Sequence, residues 1–171
     1  MTEAIRAAIE SASTYLREHP DDARYTDSAA VARLEDGLRV TVSGPNGESL
    51  VTDMPRGVGG EEREPSPGWY FRAALAACAL SLAAMRAAQL GLTGFRCEVE
   101  VDSESNDFGI LGLDNSTPAG PLSVRLRFSM SADGAGLDRL EEVAVWAADH
   151  CPVADAVKRG VPLHIEVTDA G

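Results

Sequence analysis

Residues 73–85 form an uncharged run, mostly alanine and leucine, bounded by Arg72 and Arg86. The run is shorter than the ~20 residues that a bilayer crossing requires. The wider segment 68–90 is apolar on nearly every side, and Gly91 ends it. A helix of that kind has no face to give to water, so it is expected to be buried and enclosed all round. One sheet of a small domain supplies one wall. A second copy of the chain is the least costly source of the other.

The flanking segments supply sheets and outer helices. In residues 3–18, Ile5, Ala8, Ile9, Ala12, Tyr15 and Leu16 recur at helical spacing, and Pro20 ends the pattern. The polar stretch 21–28 is a connection. Over 30–53 the period changes to two: Leu38, Val40 and Val42 share a face, and the turn Gly44-Pro45-Asn46-Gly47 precedes a second strand. Phe95, Cys97, Val99 and Val101 alternate with charged residues, as do Leu122, Val124, Leu126, Phe128 and Met130 with polar ones. Between these two strands, 103–121 reads as a long structureless loop of the kind that often carries function. A helix over 137–149 stops at Pro152, a short helix over 153–159 follows, and Val161, Leu163, Ile165 and Val167 read as a closing strand. The whole is an α+β pattern with antiparallel pairing, of a length that suits one domain.

Charge narrows the partners. With 27 acidic and 15 basic side chains the chain carries a formal net charge of −12, which repels phosphate backbones and anionic bilayers, so neither nucleic acid nor a membrane is expected as a partner. The first residues lack a basic segment followed by an apolar one, and the expected location is cytoplasmic. The three cysteines, Cys78, Cys97 and Cys151, are an odd number in a domain that needs no disulfide framework.

Cys97 shares the parity of its apolar strand neighbours and reads as core. Cys78, mid-helix among alanines, reads alone as a packed thiol. Cys151 differs, because Pro152 suits the first position of a helix and leaves the thiol at its N-cap, where free N–H groups favour a thiolate. Spacing alone does not bring Cys78 and Cys151 together. His150 beside Cys151 does not make a metal spacing and reads as a capping or surface residue.

Gly59-Gly60, then Pro65-Ser66-Pro67, then Ala73-Ala74-Leu75-Ala76-Ala77-Cys78 resemble the segment leading into the reactive-cysteine helix of the OsmC/Ohr family. His150-Cys151-Pro152-Val153 and Val161 to Val167 resemble that family's second-cysteine motif and closing strand. The likeness implies an OsmC-like fold in which an antiparallel sheet wraps a buried central helix, within an intertwined homodimer whose active site lies at the subunit interface. Residues 1–28 are then a helical extension, and 29–171 the OsmC-like domain.

The resemblance further implies a thiol-dependent organic hydroperoxide reductase that uses no cofactor and no metal. Cys78 attacks the peroxide, Cys151 resolves the product, and an external dithiol, lipoyl-type or a small thiol, restores the pair. Arg56 matches the cation that serves the thiolate in OsmC-type members, and Arg39 is the Ohr-type alternative; a solvated loop charge is the competing reading of Arg56. Family peroxidases hold that arginine with a glutamate ten residues before the cysteine, where this chain has Gly68, leaving Glu62 or Glu64 as substitutes. That departure keeps a second reading open, a non-peroxidatic protein binding an apolar small molecule at the dimer interface. A third treats the chain as an interaction module only.

Overall fold

The computed structural model describes residues 2–169. The amphipathic N-terminal segment forms α1 (Thr2–Glu18), followed by a 3-10 turn at Pro20–Ala23. Two hairpins then build a three-stranded antiparallel sheet from β1 (Val31–Leu34), β2 (Val40–Ser43) and β3 (Ser49–Thr52), in that order. Val40 stands opposite both Leu34 and Thr52, so β2 is the central strand. The expected turn at 44–47 joins β2 to β3.

The alanine-rich segment is α2 (Pro67–Gln89). Ser66 caps it by accepting the Trp69 N–H, and Pro67 suits the first helical position because its missing donor is not needed there. At the other end Leu92 N–H reaches the Ala87 carbonyl at 2.9 Å. Gly91 adopts φ +68° there, a left-handed conformation that side chains disfavour. At 23 residues α2 is long and apolar enough to cross a bilayer by length and composition, whereas the shorter run 73–85 suggests otherwise; the helix extends beyond the run at both ends. It packs as a core helix instead, with Leu75, Ala79, Ala83 and Ala87 buried along one side and Ala88 buried near its C-terminal end.

Three elements cover that side. The second sheet pairs β4 (Arg96–Glu104) with β5 (Ser123–Ser131) in antiparallel register, Val99 opposite Phe128. Alternate residues of both strands are half-buried toward α2, while Arg125 and Arg127 meet Asp102 at 3.1 Å and 2.7 Å on the outer face. Next come α4 (Leu137–His150), preceded by the four-residue α3 (Asp107–Ile110), and α5 (Pro152–Arg159). Both α4 and α5 pack on α2, as does α1.

Three expectations need correction. The sheet is not one but two, and the three-stranded sheet meets α2 through Tyr70, whose hydroxyl donates to the Val51 carbonyl at 3.1 Å. Within one chain α2 leaves Ala74, Ala77 and Ser81 exposed, on the face for which a second copy is the expected cover. The loop 103–121 is not structureless, since β4 runs on to Glu104 and α3 follows it. Finally, 161–167 is not a strand. Leu163, Ile165 and Val167 are more than four-fifths exposed, and no neighbouring strand takes up their backbone groups among the described residues.

Candidate functional site

The local sequence around Cys151 decides where its thiol points. A residue before proline is pushed out of the helical region, and Cys151 stands at φ −78°, ψ 114°, which ends α4 and starts α5 in a new direction. The Cys151 Sγ accepts the Ala154 N–H at 3.4 Å, so the cysteine is the N-cap of α5, as its position before Pro152 predicts. It is fully buried and sits with Leu75 and Ala154.

Cys78, on α2, packs against that same cluster, with Val101, Val124, Leu126 and Val153 around it. Cys151 and the Val153 backbone N–H are the groups near enough to Cys78 to influence its ionisation. Both are free thiols. Cys78 is half-buried where Cys151 is wholly buried, so an external reagent meets Cys78 first. Burial pushes the Cys78 thiol above its ordinary pKa, the contact with Cys151 adds to this, and the Val153 N–H opposes it.

The structure does not bring either candidate arginine to this pair. Arg56 lies in a 3-10 turn (Arg56–Val58) with its side chain 77% exposed, paired with Glu62 at 3.5 Å. Arg39 pairs with Glu64 at 3.5 Å. Of the two loop glutamates, Glu62 thus reaches Arg56, while Glu64 reaches Arg39 instead. The segment between is shaped by the buried carboxylate of Asp53, which accepts N–H bonds from Met54, Glu61 and Arg63 at 2.8, 3.1 and 3.2 Å. The Arg63 N–H above all holds the Asp53 pKa below the usual carboxylate value. Gly60 closes the segment because a Cβ there would lie 1.8 Å from the Met54 carbonyl oxygen.

Position 68, in the first turn of α2, offers no carboxylate. A Cβ added there would lie 3.8 Å from Arg72 Nη1. Arg72 itself is half-buried and donates to Ser103 Oγ at 3.4 Å. Arg72, which bounds the apolar run, stands six residues before Cys78.

The remaining candidates lie apart from the pair. Cys97 packs near Ala83, Val143 and Ala147 as a core thiol, and burial pushes its pKa up to about 11. His150 stacks on Trp146 with ring centroids 4.1 Å apart, and its Nδ1 lies 2.8 Å from the Trp146 carbonyl oxygen. No group of three or more His, Cys, Asp or Glu among the described residues is arranged to hold a metal.

A family model described as OsmC-like protein matches residues 59–166. No curated protein matches the sequence. Among solved structures, an OsmC-like protein of Mycoplasma pneumoniae superposes with a TM-score of 0.66 at 14% identity, over 80% of this chain and 91% of that one. An organic hydroperoxide resistance protein of Elizabethkingia anophelis gives 0.57 at 18% identity, over 80% and 91%. The Legionella pneumophila organic hydroperoxide resistance protein OsmC gives 0.55 at 21%, over 80% and 92%. At such identities the likeness is one of fold.

Proposed function

The chain belongs to the OsmC-like protein family, and from that premise we propose that it is a thiol-dependent organic hydroperoxide reductase. The observation that carries the reading is the contact between the half-buried Cys78 and the buried, helix-capping Cys151. The Cys78 thiolate attacks the outer peroxide oxygen; the O–O bond breaks, an alcohol leaves with a proton, and Cys78 becomes a sulfenic acid. The Cys151 thiol then displaces water from that sulfur, forming the Cys78–Cys151 disulfide. An external dithiol, lipoyl-type or a small thiol, returns two electrons and two protons and leaves as its own disulfide.

A homodimer is part of the same reading. The exposed face of α2 at Ala74, Ala77 and Ser81, the exposed strand β1, and the apolar alternation of Leu163, Ile165 and Val167 are features that a second copy would cover. The second copy would also supply the missing cation: Arg56, or Arg39, facing Cys78 across the interface would lower the thiol pKa that burial raises. The proposed setting is the cytoplasm, with 1–28 as an extension on the family domain.

Rapid mixing with an aryl or fatty-acid hydroperoxide tests the assignment. The native protein should lose two thiols per peroxide consumed, and Cys78→Ser should fall to the rate of an ordinary thiol. Equal consumption by Cys78→Ser would mean that another group does the chemistry.

Gly68 favours one competing reading, a non-peroxidatic protein that binds an apolar small molecule at the dimer interface. It lacks the carboxylate that orients the arginine in family peroxidases. Saturable binding of an apolar ligand, with a Cys78 that alkylates no faster than an ordinary thiol at neutral pH, would favour it.

A further inference from the structure

Four arginines are half-buried: Arg6, Arg39, Arg72 and Arg86. Arg6 meets Glu3 and Glu10, Arg39 meets Glu64, and Arg86 meets Glu142. Arg72 meets no carboxylate among the described residues. Its one polar contact is the neutral Ser103 hydroxyl at 3.4 Å, a poor return for a guanidinium drawn partly out of water.

Its position relates it to the cysteine pair. Ser103 lies two residues beyond Val101 on β4 and stands opposite Val124 of β5. Val101 and Val124 pack against the cluster that holds both thiols. The guanidinium therefore lies over the same face of the β4–β5 sheet as Cys78 and Cys151. Arg72 precedes Cys78 by six residues of one helix, about 9 Å along the axis, with the buried Leu75 midway. One turn earlier Gly68 leaves the guanidinium uncrowded, since even a Cβ there would stand 3.8 Å away.

We infer that Arg72 anchors the carboxylate of an anionic organic hydroperoxide, holding the acid head of the substrate while its peroxide end lies at Cys78. Where the peroxide goes rests on the function proposed above; the recognition of a carboxylate rests on Arg72 alone. A planar guanidinium with free N–H groups binds a carboxylate through two parallel hydrogen bonds, which a lysine ammonium or a neutral amide does not reproduce. The substrate class is thus a hydroperoxide that bears a carboxylate roughly two helical turns from its reactive oxygens.

The test is binding of the reduced product type, a medium-chain hydroxy acid, against its methyl ester, by calorimetry on the full-length protein. The native protein should bind the acid about tenfold to a hundredfold more tightly than the ester, the value of one charge-assisted contact. Arg72→Gln should bring the ratio close to one, and Arg72→Lys should keep part of it. Thermal melts of both variants separate loss of the anchor from loss of fold, and Lys retains the charge if Gln does not fold. Equal affinity of acid and ester in the native protein, or a preference that survives in Arg72→Gln, would overturn the inference. Peroxide turnover does not enter this readout. A failure of the peroxidase reading would appear separately, as a hydroperoxide that leaves Cys78 reduced.

Discussion

Replacing Cys151 by alanine and by serine should give an order of stability that reports whether the thiol caps α5. The side chain is fully buried and accepts the Ala154 N–H at 3.4 Å. Alanine removes that acceptor, at the low end of the ~0.5–2 kcal/mol that N-caps contribute because sulfur accepts weakly. It also removes one buried atom and leaves a small void, adding about 1 kcal/mol. The expected loss is about 1.5–2.5 kcal/mol. Serine keeps a better acceptor at the cap and a smaller void, while its buried hydroxyl costs about 1 kcal/mol if the hydrogen finds only a thiol partner. Its loss should be about 0.5–1.5 kcal/mol. In thermal melts under reducing conditions at fixed protein concentration, the order native, serine, alanine is expected. The two variants should differ by roughly 2–4 °C in Tm for a domain of this size. Alanine matching or exceeding serine would refute the cap.

Other outcomes follow from the same geometry. Burial raises the Cys97 pKa from 9.0 to about 11, so its alkylation by iodoacetamide should be negligible at neutral pH and rise only toward pH 11. Because the folded value is the higher one, the stability linked to this thiol is intact below about pH 9 and lost as pH climbs through 11; Cys97→Val should flatten that alkaline limb. Gly60→Ala, which drives a Cβ to 1.8 Å from the Met54 oxygen, should cost about 3 kcal/mol or more and lower Tm by roughly 6–12 °C. Gly68→Glu has room and places an acid in the first turn of α2, so Tm should rise with about 1 kcal/mol of added stability. The new carboxylate should also occupy Arg72 and remove any preference for anionic ligands.

Much of the fold was legible because its signals are local. The period of β4 and β5, the stop at Gly91 and the break at Pro152 each act within a few residues, and each element formed where its pattern lies. The contact of Cys78 with Cys151 was not legible from spacing, since it arises from α5 folding back on α2; the family resemblance anticipated it. One misreading involves a surface that one chain leaves open. The alternation of Val161 to Val167 is a real strand signal, but a strand needs a neighbour, and among the described residues of one chain none is paired with it. The same reasoning explains the exposed face of α2. Arg72 is not legible as a candidate in the sequence, because an arginine at the edge of an apolar run is ordinary punctuation until its acid partners are known.

The most direct test of the central claim is peptide mapping of the protein after one equivalent of organic hydroperoxide. A single Cys78–Cys151 disulfide should form while Cys97 stays reduced, and Cys151→Ser should instead retain one added oxygen at Cys78. Cys78 and Cys151 both remaining free, or a disulfide that involves Cys97, would contradict the account.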